Sequence, residues 1–337
     1  YVDGVSLVID FLGMRITGSL ITPVQSVSYL IMVIFGIVGN TVVIGVVGKG
    51  VLEASGSSRN SDMILVNMAV SNLLLSLTRN ILLVLSDWVT QWTTTIGWCH
   101  FLMGLWVWLR SVNVWSTFLL SVFHFHTLRR VTVTVSGNKG PPKHILGSFS
   151  IIWILNLIYS IPAFIYSTRG GKNSTETVML VSSTTRPLLG CIWSFPSVHS
   201  ALAFATSSMV IHECIPIILM IGTNLGSLLM LYAHGRSLQP LKVSPDAPAM
   251  KRVPAERRAA KVILALIFFF TLSWGTSIIS VNYFNYSEGN SRSVLLTVAR
   301  FSNSGFIAVS PVVVAVGHRR LRAFFKSLQN ICWPQAH

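Results

Sequence analysis

Charged residues are scarce in this chain of 337 residues, and acidic residues are the scarcest. Only 10% of the residues are charged, with 10 Asp and Glu against 25 Lys and Arg, whereas 52% are hydrophobic. A soluble domain carries about 25% charged residues, so the composition indicates a membrane protein. The chain also lacks an internal repeat with broken helices in corresponding places, which argues against an anion transporter.

Long apolar stretches fill most of the chain. Seven of them are long enough to cross a bilayer as helices, at residues 24–47, 62–86, 99–124, 146–166, 204–232, 259–281 and 293–317. They leave no room for a separate soluble domain, so we expect an all-α membrane protein with one seven-helix domain over residues 1–337. After the seventh stretch, HRRLRAFFKSL alternates basic and apolar residues, which predicts a short amphipathic helix on the membrane surface.

The net charge of +15 has a one-sided distribution along the chain. Basic residues cluster after the first, third, fifth and seventh stretches, which lie on one side of the membrane if the spans alternate. Positive charge marks the cytoplasmic side, so we expect an extracellular amino terminus and a cytoplasmic carboxyl terminus in a multi-pass plasma-membrane protein. This placement favours contact with membrane lipids over nucleic-acid binding. The chain starts with Tyr1 rather than Met and shows no cleavable signal peptide.

Two cysteines and two glycosylation sequons fall in segments predicted to be extracellular. Cys99 begins the third stretch and Cys191 precedes the fifth, so both face an oxidising compartment and are expected to form a disulfide. The sequons begin at Asn173 and Asn285. On the opposite side, Cys332 follows the basic segment, where it is either palmitoylated or an unmodified thiol.

One positive charge lies in the middle of the third stretch. Arg110 follows Cys99 by about 16 Å in a regular helix, near the centre of a hydrocarbon layer about 30 Å thick. An arginine there costs about 2.5–3.5 kcal/mol, so it should face the bundle interior, a cavity or a partner. Helical spacing places Trp106 and Asn113 on the same face, which predicts a pocket wall. Alternatively, Glu213 of the fifth stretch neutralises Arg110 and joins two helices.

Two further arginines belong to the half of the membrane predicted to be outer. Arg300 lies about 16 Å outward of Pro311 in the seventh stretch. Arg79, in the second stretch, either contacts a ligand or extends to the outer surface beside Asp87. With Trp274 of the sixth stretch, the three arginines predict a site for an anion with an apolar body, such as an aromatic or steroidal carboxylate or sulfate.

Metal and cofactor chemistry receive no support from the sequence. His124 and His126 are two residues apart, so they lie on different faces of a helix and make a poor metal pair. We therefore expect no metal, no cofactor and no enzymatic activity.

Several motifs resemble those of rhodopsin-like G-protein-coupled receptors. The matches are Gly39-Asn40, the NMAVSNLLL run, Trp153, Pro216, Phe270 with Trp274, and Pro311. The chain departs from the usual pattern at Asn72, where the family has aspartate, at FHF around His124 and at SPVVV. These departures occur beside SNLLLSL, LLSVFHFHTL, WILNLIYSIP, AERRAAKVIL and SPVVVAVGH. In this combination the chain resembles type-1 vomeronasal receptors and the olfactory receptor class A-like proteins.

The resemblance implies a chemosensory receptor for a small pheromone-like or odorant molecule that binds from the extracellular side. It also implies coupling to an inhibitory-type heterotrimeric G protein in sensory neurons. Candidate coupling residues lie at the predicted cytoplasmic ends of helices, at His124, Arg129, Arg130, Arg257 and Arg258. Trp106 stands where aminergic receptors have aspartate, and the seventh stretch has no lysine for a retinal Schiff base. A non-sensory receptor for a peptide or lipid is the alternative.

Overall fold

Eight helices form most of the structure in the part of the chain that the structure describes. A computed structural model describes residues 23–53, 57–88, 95–133, 145–170, 182, 184, 189–237, 248–284 and 290–332. The helices are α1 (Pro23–Glu53), α2 (Ser57–Leu75 and Ile81–Trp88), α3 (Ile96–Val133), α4 (Ile145–Ile165), α5 (Val198–Met209 and Ile215–Ser237), α6 (Pro248–Phe284), α7 (Asn290–Gly317) and α8 (Arg319–Cys332). All seven predicted stretches and the short amphipathic segment are helical.

The helices α1 to α7 lie side by side as a bundle, which confirms the all-α seven-helix architecture. Six of them are long and apolar enough to cross a bilayer. The exception, α3, contacts α2, α4, α5 and α6 and is therefore the central helix. Its middle carries several polar residues that are almost completely buried. Neighbouring helices can satisfy these groups only in the interior of the bundle, so the least apolar helix occupies the centre.

A disulfide and a small hairpin mark one end of the bundle, which we call the disulfide end. Cys99 at the start of α3 is bonded to Cys191, as predicted from the sequence. Cys191 begins strand β2 (Cys191–Trp193), which pairs antiparallel with strand β1 (Ser167–Arg169). The disulfide therefore attaches the hairpin between α4 and α5 to the end of the central helix. The opposite end carries α8 and is called the α8 end.

Four helices are joined by amide side chains in the bundle interior. Asn113 of α3 donates to Asn72 Oδ1 of α2 at 2.7 Å, and Asn72 donates to Asn40 Oδ1 of α1 at 3.2 Å. Asn72 also donates to Ser310 Oγ of α7 at 3.1 Å, and Asn40 donates to the Ile307 carbonyl at 3.0 Å. Amides donate and accept at once, so a cluster of them satisfies its own polar atoms away from water.

An ion pair joins α2 to α7 nearer the disulfide end. Arg300 Nη2 lies 2.6 Å from Asp87 Oδ2, and Nη1 lies 3.0 Å from Oδ1, so the pair is bidentate. The Arg300 guanidinium also lies over the Tyr29 ring of α1, with Cζ 3.8 Å from the ring centroid. Both charged side chains are at most 9% exposed. The sequence suggested Arg79 as the neighbour of Asp87, but the structure gives this place to Arg300.

We expect this pair to stabilise the bundle as a unit. Arg300→Gln leaves Asp87 buried without its cation, which should destabilise the protein by about 3–5 kcal/mol. Arg300→Gln combined with Asp87→Asn removes both charges and should lose less stability than Arg300→Gln alone. Thermal unfolding of the purified variants in detergent measures both losses. A double variant that loses as much stability as Arg300→Gln alone, or more, would contradict the coupling.

Candidate ligand-binding site

Two charged residues of the predicted site lie in short π-helical turns. Arg79 belongs to the turn Ser76–Asn80, which joins the two segments of α2. Glu213 belongs to the turn Val210–Cys214, which joins the two segments of α5 just before Pro216. Proline removes one helical hydrogen bond and crowds the preceding turn, which is consistent with the altered winding in α5. Single π turns occur often at functional sites, and here both of them supply a buried charge.

Arginine and tryptophan side chains alternate across the centre of the site. Arg79 Cζ lies 3.8 Å from the ring centroid of Trp106, and Arg110 Cζ lies 5.4 Å from the same centroid. Arg110 Cζ also lies 3.1 Å from the ring centroid of Trp274. Trp274 in turn is stacked on Phe270, with centroids 5.3 Å apart. Cations are attracted to the faces of aromatic rings, most strongly when both groups are desolvated, so the rings hold the guanidinium groups inside the bundle.

Arg110 connects three helices. Its Nη2 donates to Asn303 Oδ1 of α7 at 2.5 Å, while its guanidinium faces Trp274 of α6. Arg110 is 2% exposed, so the prediction that it faces the bundle interior agrees with its position in the structure. Asn113, which the sequence places on the same wall, instead points into the amide cluster with Asn72. The reason is that Asn72 and Asn113 satisfy each other, whereas neither alone could be satisfied in hydrocarbon.

Two loop residues from between the hairpin strands cover Glu213. Ser182 Oγ donates to Glu213 Oε1 at 2.7 Å, and the backbone N–H and hydroxyl of Thr184 donate to the same oxygen at 2.9 and 3.1 Å. The Thr184 carbonyl also accepts a hydrogen bond from Trp106 Nε1 at 2.8 Å. Ser182 and Thr184 are both buried. We call this pair of residues the loop cover.

The buried charges around the site are predominantly positive. Arg300 and Asp87 neutralise each other, whereas Arg79, Arg110 and Glu213 together carry two positive charges and one negative charge. The charges of Arg79 and Glu213 both act on Arg110. The sequence suggested Glu213 as the partner that neutralises Arg110. In the structure, Glu213 Oε1 also accepts three hydrogen bonds from the loop cover, and the Arg110 guanidinium donates to an amide.

Two polar groups of the site have hydrogen-bonding capacity that no described residue uses. They are the Trp274 indole N–H and Glu213 Oε2, and both are buried. Buried polar atoms normally have a partner, so these two mark places where a bound molecule or water completes the hydrogen bonding. The site can therefore offer a guanidinium and an indole donor to an anionic group.

The remaining predicted residues lie elsewhere. His124 is buried in α3 towards the α8 end, and Arg129 is exposed in the last turns of the same helix. Arg130 belongs to α3, and Arg257 and Arg258 belong to α6, but their side chains are outside the described part. The sequons at Asn173 and Asn285 also lie outside the described residues. Among the described residues, no three His, Cys, Asp or Glu side chains could together hold a metal ion.

Sequence reasoning missed three residues that contact this site. Asn303 lies in the seventh stretch, but nothing in its spacing linked it to Arg110. Ser182 and Thr184 lie far along the sequence from Trp106 of α3 and Glu213 of α5, which they join. The composition of their loop gives no sign of burial. The only useful signal was the predicted disulfide, because Cys191 ties this loop close to the start of α3.

Comparisons with known proteins agree with this architecture. A model of the "Vomeronasal organ pheromone receptor family" matches residues 24–327. The chain is 40% identical to "Olfactory receptor class A-like protein 4" of Danio rerio over 315 residues, which cover 93% of this chain and 91% of the relative. It is 25% identical to "C-X-C chemokine receptor type 3" of Bos taurus over 251 residues, which cover 74% of this chain and 58% of the relative.

Solved structures place the bundle in the same fold. The crystal structure of squid rhodopsin matches with a TM-score of 0.67 at 16% sequence identity, covering 92% of this chain and 86% of rhodopsin. At that identity the match concerns the fold alone, and it agrees with the seven-helix bundle and the amphipathic helix. The family match covers most of the chain, including nearly all of every helix from α1 to α7. The chain therefore belongs to the vomeronasal pheromone receptor family of rhodopsin-like G-protein-coupled receptors, and it is a multi-pass plasma-membrane receptor and not an enzyme.

Proposed function

We propose that this receptor is chemosensory and that it detects a small organic anion with an aromatic or other apolar body. The observation that carries the proposal is the pair of buried cations, Arg79 and Arg110, stacked on tryptophan rings around one partly satisfied carboxylate. Arginine matches carboxylate and sulfate geometry with two parallel N–H donors, and it is weakly hydrated enough to do so in a dry site. The ligand completes the charge balance of the interior.

The same proposal assigns the two ends of the bundle to the two sides of the membrane. The disulfide end faces the extracellular side, because a disulfide persists in an oxidising environment. The α8 end faces the cytoplasm, in keeping with the basic residues of the segments that the positive-inside rule places there. The ligand accordingly enters past the loop cover, and an inhibitory-type G protein binds at the α8 end, near the exposed Arg129.

The site is preorganised for an anion. Arg110 is held by Trp274 and Asn303, so little side-chain freedom is lost when its guanidinium binds a ligand. The Trp274 N–H is a second donor for the anionic group. An amine would meet two arginines, and its cation would be repelled by both. The positive charge of the site therefore favours anions over amines.

Ligand binding changes the contacts of α3, α6 and α7 together. Arg110 belongs to α3 and touches Trp274 of α6 and Asn303 of α7. A ligand shifts a conformational equilibrium only if it binds one state better than the other. An anion that binds Arg110 more tightly in one arrangement of α6 and α7 than in another therefore shifts the equilibrium towards that arrangement. This is how we expect occupancy to reach the G-protein end.

A receptor for a peptide is the second candidate, and the chemokine receptor match supports it. The neuropeptide F receptor of Drosophila melanogaster is also 24% identical over 274 residues. The chain spans little more than half the length of each of these two relatives, 58% and 52%. Against a large ligand, the loop cover fills the space above Glu213 and Trp106. A peptide that entered there would displace the hydrogen bonds that hold this pair of residues in place.

The anion response should depend on Arg110. We expect Arg110→Gln to raise the half-maximal concentration for an active aromatic or steroidal acid by about 10- to 100-fold, because a charge-assisted hydrogen bond contributes about 1.5–3 kcal/mol. The assay is calcium release in cells with a promiscuous G protein, with matched acids, amides and amines. Arg169→Gln is the control, since Arg169 is an exposed arginine of β1. An Arg110→Gln receptor with equal surface expression and an unchanged acid response would contradict the proposal.

Glu213 should weaken anion binding. Glu213→Gln keeps a hydrogen-bond acceptor for the loop cover and removes the negative charge near Arg110. We expect the half-maximal concentration for the acid to fall by up to about tenfold, equivalent to about 1.4 kcal/mol. Dose–response curves for the acid and for its uncharged amide provide the measurement, and the amide should shift less. A weaker acid response with preserved amide response would show that the carboxylate is part of the anion site instead.

A further inference from the structure

A groove on the outer surface of the bundle is separate from the ligand site. It lies between α1, α7 and α8 and has a volume of about 690 Å³. Its walls include Phe35 and Val38 of α1 and Val312 and Val316 of α7, each more than half exposed. These side chains face outward, where the hydrocarbon of the membrane surrounds the bundle.

A close contact between α1 and α7 forms the floor of the groove. Gly39 faces Pro311, and a Cβ atom at Gly39 would lie 2.8 Å from Pro311 Cβ. Small residues let transmembrane helices approach closely, so the two backbones meet here while larger side chains flank them on both sides. The groove is therefore built into the helix crossing.

The mouth of the groove at α8 is basic. Arg322 and Lys326 are four residues apart on α8, so they lie on the same face, and both line the groove. Within the described part of the chain, the buried Nε of Arg322 has no hydrogen-bond partner. By contrast, the neighbouring Arg320 forms an ion pair with Glu53, in which Nη1 lies 3.2 Å from Oε2. An apolar trough thus ends at two cations.

We propose that the groove binds an acidic glycerophospholipid from the leaflet at the α8 end. One acyl chain lies between α1 and α7, and the phosphate binds Arg322 and Lys326. The combination of an apolar trough open to the bilayer and a cationic mouth at the level of α8 fits the two parts of such a lipid. Each basic residue near an acidic membrane surface strengthens the attraction to anionic headgroups, so headgroup selection should be measurable. The lipid would also fasten α8 to the end of α7.

Photolabelling of the full-length receptor in nanodiscs tests this site. Phosphatidylglycerol and phosphatidylcholine probes with the same photoreactive acyl chain are compared, and labelled peptides are identified by mass spectrometry. We expect phosphatidylglycerol to label the groove segments of α1 and α7 at lower probe concentrations than phosphatidylcholine. Arg322→Gln and Lys326→Gln should each raise the half-labelling concentration of phosphatidylglycerol by about fivefold.

The matched control is Arg319→Gln. Arg319 belongs to the same helix and is exposed, but it does not line the groove. We expect this variant to label as the unchanged receptor does. Equal labelling by the two lipids would overturn the proposal and indicate ordinary annular lipid. The same conclusion would follow if Arg319→Gln raised the half-labelling concentration of phosphatidylglycerol as much as Arg322→Gln does. Displacement of the probe by a sterol but not by unlabelled phosphatidylglycerol, or crosslinking of the groove to a second receptor copy, would overturn it as well.

A second variant tests the trough independently of charge. Ala315 lines the groove and is partly exposed, so Ala315→Phe fills part of the trough without removing a polar contact. We expect Ala315→Phe to abolish labelling by both lipids. Its thermal unfolding temperature should be similar to those of Arg322→Gln, Lys326→Gln and Arg319→Gln. Undiminished phosphatidylglycerol labelling of a folded Ala315→Phe receptor would place the lipid elsewhere and overturn the proposal. Neither measurement depends on the sensory ligand, so its outcome is independent of the proposed function.

Discussion

The burial of the Arg110 guanidinium in the middle of the bundle is the constraint on which the rest of the site depends. A charge in hydrocarbon is expensive, and the structure offsets this cost with the face of Trp274, the amide of Asn303 and the nearby carboxylate of Glu213. These groups come from three other helices. The inward faces of α5, α6 and α7 therefore carry groups that accommodate Arg110, and under the proposed function its charge selects the sign of the ligand.

Polar contacts join the helices at three levels, because hydrocarbon cannot distinguish one apolar helix face from another. Near the disulfide end, Arg300 and Asp87 join α2 to α7. In the middle, the asparagine cluster joins α1, α2, α3 and α7. At the α8 end, His318 Nε2 lies 3.1 Å from Asp62 Oδ1. In a bilayer the hydrophobic effect does not drive helices together, so such contacts and close packing decide their arrangement. The two arginines around Trp106 have a further role beside helix contacts such as those of Arg110 with Asn303 and Trp274. That role is electrostatic selection of a ligand under the proposed function.

The loop cover and the groove between α1, α7 and α8 belong to parts of the bundle that face different solvents, water and the membrane. Ser182 and Thr184 are polar residues buried over Glu213, to which both donate hydrogen bonds, and charge interactions among buried groups are stronger than in water. At the other end, the groove between α1 and α7 opens sideways to the membrane and closes on basic residues of α8. Water-side and membrane-side ligands would thus bind to different surfaces without competing.

The sequence by itself determined the class of the protein, the number and approximate limits of its helices, the disulfide and the inward position of Arg110. These follow from the length of apolar runs, from the cost of a charge in hydrocarbon and from the position of two cysteines, all of which are local properties. Only the tertiary structure decided which polar groups meet. It paired Asp87 with Arg300 rather than Arg79, turned Asn113 towards Asn72, and brought Ser182 and Thr184 onto Glu213. Such choices depend on distances between helices far apart in the chain, and helical periodicity places a residue on a face without saying which neighbour that face will touch.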